Sequence, residues 1–422
     1  MQFKKEAFLT LITQLLCLGF AIGVSIVLNR VLGPTLKGEF VVLTLIPQFI
    51  VVFTSLGLGT SSSYFLGTKK FSEGDIVKSN LFAVAGIGIL GIIIGYYIIS
   101  LQFPNTNHSL YYILAGLVLF GLWLDNYLPD IFVGKGKVIL YNKWNLFQSI
   151  SKFCLICVLF ICFKNKLYSA IIAVFIVNCV FFGLSFPVLS KIISLRGKVN
   201  FAYLSQGINF GYKVFIAGLL SFLNYRLDIL MLRWMAGPTQ VGYYSTAVGL
   251  AESLWIIPTS ISIVLYSKIV THEFDRSEIT AKITRISLWI TIVAGVVSIP
   301  LVKPIIILFY SRQFLPSLIP YLILLPGIIA LSIPKLVTQE TVGKWGKPEF
   351  SVYGMLIVVI VNIGLNLLLI PKMGMNGSAL ASTIAYIIQL IFFVALYHKL
   401  THLRAREVLL LKKEDFAGWR IR

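Results

Sequence analysis

The chain has 422 residues, of which 58% are hydrophobic and 12% are charged, and its formal net charge is +20. A composition this apolar excludes a soluble globular protein of this length. The basic residues stand in short clusters between long uncharged runs, which is the pattern of loops that flank membrane spans. We therefore expect an integral membrane protein, and the positive charge does not indicate a nucleic-acid partner.

Apolar runs of about 20 residues can each cross a hydrocarbon layer of roughly 30 Å. The connections between the runs are short, which predicts an all-α, polytopic protein with no soluble catalytic domain. The first run is too long for a signal-peptide core and is counted as a span. About twelve transmembrane spans are predicted, at residues 7–29, 40–66, 81–101, 110–133, 145–163, 167–189, 212–235, 243–266, 286–309, 318–339, 351–370 and 377–397.

The distribution of Lys and Arg predicts the orientation. An even number of spans places both termini on one side, and with the N-terminus inside, about 25 of the 36 basic residues fall in cytoplasmic segments. This asymmetry favours a multi-pass protein of the cell inner membrane with both termini in the cytoplasm. Basic loops of this kind also suit anionic membrane lipids as partners.

A short motif occurs twice, as Gly33-Pro34-Thr35 and as Gly237-Pro238-Thr239, and each copy is followed three residues later by a second glycine, Gly38 or Gly242. Both copies join the first and second spans of a six-span set on the outer face. Gly and Pro suit a tight turn between antiparallel helices. The recurrence indicates an internal repeat.

A second repeated pair supports two halves in the same orientation. The segment 133–137 follows span 4 and the related segment 342–347 follows span 10, both on the cytoplasmic side. Parallel repeats place a central cavity between two lobes that move against each other, which is the geometry of alternating access. The predicted domains are an N-terminal six-helix lobe (1–190), a cytoplasmic interfacial link (191–211), a C-terminal six-helix lobe (212–398) and a basic cytoplasmic tail (399–422).

The sequence resembles a known family over nearly its whole length. The resemblance lies in residues 32–40 of the outer loop, in Gly57-Leu58-Gly59 within span 2, in Arg226-Leu227-Asp228, and in residues 373–379 at the start of the last span. These segments are similar to those of polysaccharide-precursor flippases of the multidrug/oligosaccharidyl-lipid/polysaccharide exporter superfamily, in particular Wzx-type O-antigen flippases.

The resemblance implies an activity and partners. A protein of this family turns an undecaprenyl-pyrophosphate-linked oligosaccharide from the inner to the outer leaflet, for O-antigen, capsule or exopolysaccharide synthesis. It works with a polysaccharide polymerase and a chain-length regulator. The resemblance implies no cofactor, and the absence of a phosphate-binding loop indicates that this chain does not hydrolyse ATP.

Polar residues inside the spans are candidate functional residues, because a buried polar or charged group in a membrane is costly unless it faces protein or a wet cavity. Aligning the two motifs places Glu252 opposite Gln48, and Thr259 opposite Ser55. A spacing of seven residues puts each pair on one helix face. With Gln14 of span 1, these positions are expected to line a sugar-accepting cavity, and interhelical hydrogen bonding is the alternative for about half of the polar positions.

Arg226 and Asp228 lie two residues apart in span 7, hence on different faces. The guanidinium of Arg226 matches a pair of phosphate oxygens in plane, so we predict that it attracts the pyrophosphate. Both residues are assigned to the substrate cavity.

Asp125 in span 4 and Lys152 in span 5 lie at similar depth, counted along each helix. They are expected either to bind a coupling ion, H⁺ or Na⁺, together with Glu252, or to form a buried ion pair. Asp130 and Glu340 are expected near the interface, where they would be solvated. His398 and His402 lack an accompanying Glu, so we predict no metal site.

Three other functions predict different sequence features. An exporter of cationic drugs should concentrate acidic residues in its cavity, whereas the deep charges here include Arg226 and Lys152. The peptidoglycan-precursor flippases resemble a chain with two more helices. A membrane-embedded polymerase or ligase would need a large outer loop with catalytic residues, and the outer loops here are short. We therefore expect a transporter and not an enzyme, without catalytic residues.

Overall fold

The computed structural model describes residues 2–102, 108–270, 277–343, 345, 349–412 and 415. All regular elements in these ranges are helices, which confirms the all-α fold class. The longer ones are α1 (Gln2–Thr54), α2 (Leu58–Thr68), α3 (Glu73–Gln102), α4 (His108–Gly121), α5 (Leu128–Gly134), α6 (Val138–Cys162), α7 (Lys166–Leu189), α8 (Phe201–Ala236), α9 (Pro238–Glu252), α10 (Ile256–Val270), α11 (Ser277–Ile305), α12 (Leu318–Ala330), α13 (Ser332–Gly343), α14 (Glu349–Met373), α15 (Met375–Thr401) and α16 (Ala405–Leu409).

Ten helices within the described residues are long and apolar enough to cross a membrane. The protein is therefore a multi-pass membrane protein, but the predicted number of twelve spans is not confirmed. One of the ten, Ile12–Thr54, is 43 residues long and contains the first two predicted spans. The predicted span 243–266 is divided between α9, a 3₁₀ turn at Ser253–Trp255 and α10.

The repeated Gly-Pro motif makes the same turn in both copies. Gly33 has φ 67° and ψ 179°, and Gly237 has φ 84° and ψ 172°. Pro34 and Pro238 follow and begin the next helix, where the missing backbone N–H of proline costs nothing. The helix is interrupted at each copy as predicted, and the repetition extends from sequence to backbone conformation; the antiparallel arrangement of the flanking helices stays a prediction.

We expect the substitution Gly237→Ala to destabilise the protein through backbone strain alone. A Cβ on Gly237 would meet no atom within 4 Å, but its φ of 84° with ψ of 172° is a conformation essentially restricted to glycine, and an L-residue there costs about 1–3 kcal/mol. The melting temperature of the detergent-purified protein should fall by about 2–4 °C per kcal/mol. Gly249→Ala is the matched control, since Gly249 also has open space around it and lies inside α9. Equal melting temperatures for the two variants would contradict this account.

The chain divides into two compact units, Met1–Leu219 and Leu220–Arg422, and the boundary falls within α8. Residues 191–200 are not helical, and α8 begins at Phe201, eleven residues before the predicted start of span 7. Asn200 explains the early start, because its Oδ1 accepts a hydrogen bond from the Tyr203 N–H at 3.0 Å. A side-chain oxygen of this kind caps a helix N-terminus. Part of the predicted interfacial link is thus helical.

In the first unit, buried hydrogen bonds hold the start of α8 against α2 and α3. The Tyr203 hydroxyl lies 2.9 Å from both Ser62 Oγ and Asn80 Oδ1, and Asn80 Nδ2 donates to Ser62 Oγ at 2.8 Å. All three residues are fully buried. Asp75 Oδ1 also accepts the Lys198 N–H at 2.8 Å. Satisfied networks of this kind fix one arrangement of the packed helices.

In the second unit, the described part of the tail packs against α11. Val408 of α16 is buried in an apolar cluster with Leu288, and Trp289 Nε1 donates to the Leu409 carbonyl at 2.9 Å. Arg285 Nε donates to Asp415 Oδ2 at 2.6 Å, and a second guanidinium nitrogen pairs with Oδ1. The two-pronged pair, which is almost wholly buried, fastens the chain end to this unit.

The docked tail should be insensitive to mild acid. The Arg285 guanidinium holds the pKa of Asp415 below its usual range. The ion pair therefore contributes its full stabilisation at pH values above the unfolded-state pKa of about 3.9, and this stabilisation is lost only as the pH falls through the lower folded-state pKa. We expect trypsin to cleave the tail of Asp415→Asn several-fold faster at pH 7, while the wild-type tail stays docked at pH 5. Release of the wild-type tail at pH 5 would contradict this.

Candidate functional site

Arg226 of α8 forms a two-pronged ion pair with Glu252 at the end of α9. Nη1 lies 2.9 Å from Oε1 and Nη2 lies 3.1 Å from Oε2. The two side chains are 34% and 19% exposed, so the pair is neither sealed in the core nor fully solvated. A fork of two parallel N–H···O bonds is the geometry in which a guanidinium also holds phosphate. Both residues were predicted to be in the site, but their pairing was not.

A second cation, Lys335 of α13, lies close to this pair. Its Nζ is 4.4 Å from the centroid of the Trp255 ring and 5.8 Å from that of Tyr225. Glu252 acts on it electrostatically, yet in the described part of the chain no carboxylate lies within ion-pair distance of it. Rings at this distance attract a cation through their negative faces. Lys335 is therefore held by aromatic rings and keeps its ammonium hydrogens available.

Three rings form the wall beside these charges. The Tyr225 and Trp255 centroids are 5.2 Å apart, and Tyr386 lies 6.4 and 6.3 Å from them. Trp255 Nε1 donates to the Ile328 carbonyl at 3.1 Å, which fixes its ring. We call Arg226, Glu252, Lys335, Tyr225, Trp255 and Tyr386 the charged cluster. It holds two cations and one carboxylate, a formal net charge of +1.

Asp228 lies in the interior of the second unit, and it interacts electrostatically with Arg226 and Tyr386 of the charged cluster. It is 3% exposed, and its Oδ2 accepts hydrogen bonds from the Tyr244 hydroxyl at 2.5 Å and the Ser382 hydroxyl at 3.2 Å. The prediction that Arg226 and Asp228 occupy different faces of the helix is confirmed. No hydrogen bond or ion pair joins Asp228 to Arg226, which bonds to Glu252 instead. The assignment of Asp228 to the substrate cavity stays a prediction.

Amides from α14 and a further hydroxyl extend the surroundings of Asp228. Asn362 Nδ2 donates to Ser382 Oγ at 3.2 Å, and Asn366 Nδ2 donates to Asn362 Oδ1 at 2.8 Å. Asn366 Oδ1 is buried without a hydrogen-bond partner among the described residues, while the Ser378 hydroxyl interacts with that of Tyr244. Unpaired buried oxygens are costly. We call Asp228, Tyr244, Asn362, Asn366, Ser378 and Ser382 the oxygen cluster.

The oxygen cluster could hold a proton or a small cation. It offers carboxylate, amide and hydroxyl oxygens, the donor types that hard cations prefer. Among the described residues, no three His, Cys, Asp or Glu side chains are grouped as metal ligands. One carboxylate surrounded by neutral oxygens suits a single charge better than a divalent metal, which usually takes more than one carboxylate.

The other predicted positions do not join these clusters. Gln14, Gln48 and Thr259 are exposed, and Ser55 is half-buried and lines a cavity of the first unit. The regular helix assumed for the shared faces of Gln48 with Ser55 and of Glu252 with Thr259 is interrupted in both cases, and the shared faces stay predictions. α1 ends before Ser55, and a 3₁₀ turn follows Glu252, so neither pair lies on one regular helix.

The structure does not form the predicted alternative, a buried ion pair between Asp125 and Lys152. Asp125 is exposed on a π-helical turn, Leu122–Tyr127, and although Lys152 acts on it electrostatically, no hydrogen bond or ion pair joins them. Counting residues gives the depth of a side chain but not the direction in which it points, and the π turn changes that direction. Ion coupling at these two residues stays a prediction.

Glu340 was expected to be solvated, but it is 1% exposed. Its carboxylate accepts hydrogen bonds from the Ser277 hydroxyl at 2.6 Å and from the Tyr397 hydroxyl at 2.9 Å. These partners satisfy the buried carboxylate, which sequence position alone could not reveal.

Sequence reasoning missed three parts of the site. Lys335 is a lone cation within the predicted span 318–339, and the rule that singled out Glu252 would have found it. Asn362 and Asn366 are four residues apart in an apolar span and share a helix face. The three aromatic rings gave no signal, because such rings are common in apolar spans.

The fold is that of a multi-pass helical membrane protein, with a charged and a polar cluster inside one helical unit. A family model described as polysaccharide biosynthesis protein matches residues 3–267, well over half of the chain. The chain belongs to that family. A search of curated proteins finds no match.

Solved structures show the same fold at low sequence identity. The lipid II flippase MurJ, in an inward closed conformation, is 18% identical with a TM-score of 0.74, over 94% of this chain and 90% of that chain. An inward-facing MATE family multidrug resistance transporter is 13% identical with a TM-score of 0.74, over 92% and 94%. A MOP superfamily transporter from Pyrococcus furiosus is 14% identical with a TM-score of 0.63, over 94% of this chain and 96% of that chain.

Proposed function

We propose that this protein flips undecaprenyl-pyrophosphate-linked oligosaccharide units from the inner to the outer leaflet of the bacterial inner membrane. The units serve O-antigen, capsule or exopolysaccharide synthesis. Membership of the polysaccharide biosynthesis family supports a glycan cargo, and the fold shared with a lipid II flippase supports a lipid-linked one. In this proposal both termini are cytoplasmic, and two lobes alternate in access to the two sides.

The charged cluster is the observation that carries the proposal. Its net positive charge and its guanidinium fork suit a diphosphate. The two oxygens of Glu252 now occupy the fork at 2.9 and 3.1 Å, where two phosphate oxygens of the cargo would replace them. Lys335, which has no carboxylate partner among the described residues, would hold a third phosphate oxygen.

Exchange at Arg226 provides both binding and release. While cargo occupies the guanidinium, Glu252 is displaced, and its return to Arg226 competes with the diphosphate for the same two N–H groups. A buried or half-buried cation left unpaired is unfavourable, so Arg226 leaves one anion only as it binds the other. The Glu252 carboxylate and the diphosphate therefore displace each other. The pair thereby prevents the site from holding its cargo too tightly for turnover.

The oxygen cluster is our candidate for coupling to an ion gradient, with H⁺ or Na⁺ bound at Asp228. The Asn366 Oδ1 atom, which is buried without a hydrogen-bond partner among the described residues, supports this role, because transporters of this kind place coupling-ion sites among oxygens inside the membrane. Glu252 and Asp125 remain further candidates for coupling.

A deletion strain tests the proposed function. We expect it to lose surface glycan and to accumulate the complete lipid-linked repeat unit on the cytoplasmic face of the membrane. A multidrug exporter of the same superfamily would give the opposite pattern. A deletion strain with normal surface glycan and new sensitivity to cationic dyes would therefore overturn the proposal in favour of drug export.

A further inference from the structure

A groove in the first unit runs along α2, between α5 on one side and α8 on the other. It consists of a cavity of about 210 Å³ and a second of about 470 Å³, and Thr60 and Asp130 line both. We call it the α2 groove. Its polar wall is formed by Thr60, Ser63, Asn126 and Asp130, and its aromatic wall by Tyr64 and Phe210.

Glycines at the contact between α2 and α5 allow the two helices to pack closely, which places the polar wall beside the α2 backbone. A Cβ on Gly59 would lie 2.5 Å from Asp130 Oδ2, and a Cβ on Gly134 would lie 2.7 Å from Ser63 Cα. Gly57, with φ +70°, breaks the helical path just before α2, and its carbonyl oxygen would lie 2.3 Å from a Cβ on Gly211. The Asp130 carboxylate therefore lies directly against the backbone of α2 at the edge of the groove.

The hydroxyl groups of α2 fall into two sets. Ser61 Oγ donates to the Gly207 carbonyl at 2.5 Å, and Ser62 Oγ bonds to Tyr203 and Asn80. These two hydroxyl groups hold α2 against α8 and α3. Within the ranges that the structure describes, the hydroxyls of Thr60 and Ser63, which face the groove, have no hydrogen-bond partner.

The Asp130 carboxylate also has no partner among the described residues. Although the residue is half-buried, its carboxylate makes no hydrogen bond or ion pair to any described residue. A carboxylate can accept up to about four hydrogen bonds, and a hydroxyl can both donate and accept. The groove thus presents free acceptors and donors a few residues apart, beside α2 hydroxyls that are fully used.

An aromatic surface completes the groove. The rings of Tyr64 and Phe210 stack with centroids 4.4 Å apart and planes 18° apart, and the two residues are 47% and 42% exposed. Each ring keeps one face uncovered by the other. Flat aromatic faces pack well against the C–H face of a pyranose ring, whose hydroxyls then point to the polar wall.

The charge of the groove excludes the diphosphate. Its lining contains one carboxylate and no Lys or Arg among the residues described, so a doubly charged headgroup would be repelled. A neutral, hydroxyl-rich ligand meets no such penalty. Carboxylate, amide, hydroxyl and aromatic ring together are the chemistry that recognises a sugar.

We propose that the α2 groove is the subsite for the sugar part of the cargo. Asp130 accepts hydrogen bonds from two sugar hydroxyls, Thr60 and Ser63 bond to further oxygens of the sugar, and Tyr64 and Phe210 support the ring face. This inference rests on the proposed function, and it adds that recognition of sugar and of diphosphate depends on separate sets of residues.

Lipids that copurify with the protein test the proposal with the cell's own cargo. The wild type and the variants Asp130→Asn and Ser63→Ala are purified from the native strain, and mass spectrometry measures undecaprenyl diphosphate with and without sugar. We expect the wild type to enrich the sugar-bearing form relative to the membrane extract. Asp130→Asn should lose about tenfold of that enrichment, the effect of one charged hydrogen bond, and Ser63→Ala about threefold, the effect of one neutral hydrogen bond, while the bare carrier stays bound. Glu349→Gln is the control, since it removes an exposed carboxylate far from the groove in sequence.

The outcomes separate the two proposals. If the wild type carries no undecaprenyl diphosphate at all, the proposed function fails and this inference falls with it. If the wild type carries the lipid but Asp130→Asn and Ser63→Ala keep full enrichment of the sugar-bearing form, only the sugar subsite is wrong. The sugar subsite is also wrong if Asp130→Asn keeps full enrichment of the sugar-bearing form and changes only the response of transport to an ion gradient. Identical elution of all variants in size-exclusion chromatography shows that they are folded.

Discussion

Replacement of Arg226 by alanine should reduce surface glycan at least about tenfold while the protein stays in the membrane. Hydrogen bonds to charged groups contribute about 1.5–3 kcal/mol each, and tenfold corresponds to 1.4 kcal/mol. The alanine variant loses both N–H groups that now hold Glu252 and would hold the diphosphate. Quantitative immunoblotting of surface glycan in the deletion strain measures the effect, with membrane-fraction blots as the control for protein level.

Three further variants separate a transport role from a structural one. Arg226→Lys keeps the charge but not the planar fork, so we expect little recovery of glycan. Glu252→Gln should impair export because a neutral amide competes poorly with the diphosphate for Arg226. The exchanged pair, Arg226→Glu with Glu252→Arg, restores the ion pair but moves the guanidinium to α9. Full export by the exchanged pair would show that the two residues serve only to stabilise the fold.

Asp228→Asn should abolish the dependence of transport on an ion gradient. The substitution keeps the size of the side chain and removes the carboxylate that accepts from Tyr244 and Ser382. In proteoliposomes we expect a tenfold gradient of H⁺ or Na⁺ to accelerate the wild type, and the acceleration should disappear in the variant. A tenfold gradient of a singly charged ion supplies about 1.4 kcal/mol.

Tyr244→Phe and Ser382→Ala make the assignment specific. Each keeps the carboxylate and removes one hydroxyl of the oxygen cluster, so each should weaken the ion dependence without abolishing it. Wild-type protein that ignores both gradients would remove ion coupling from the account. Coupling that survives in Asp228→Asn would move it to another carboxylate, such as Glu252 or Asp125.

The features that the sequence predicts well depend on local chemistry. A membrane-embedded helical fold follows from composition and from the length of the apolar runs. The turns at Gly33 and Gly237 follow from Gly-Pro, because positive φ at the first residue and a missing N–H at the second leave few other conformations. Both were correct for this reason.

The parts that failed depend on rotation about helix axes. Arg226 and Glu252 are 26 residues apart on different helices, and their pairing follows from how α8 and α9 turn their faces. Asp125 lies on a π turn, and a 3₁₀ turn follows Glu252. Each departs from the regular 100° per residue that sequence reasoning assumes. Residue spacing therefore gave depth but not direction.

Direct observation of flipping is the decisive measurement. Undecaprenyl-diphosphate oligosaccharide extracted from the deletion strain is placed in proteoliposomes, and an impermeant sugar-oxidising reagent measures how fast the protected inner half becomes accessible. We predict that wild-type protein accelerates this at least about tenfold over protein-free liposomes, and that Arg226→Ala does not. If the wild-type and protein-free rates are equal while the purified protein is folded, it does not flip this lipid, and the central claim is wrong.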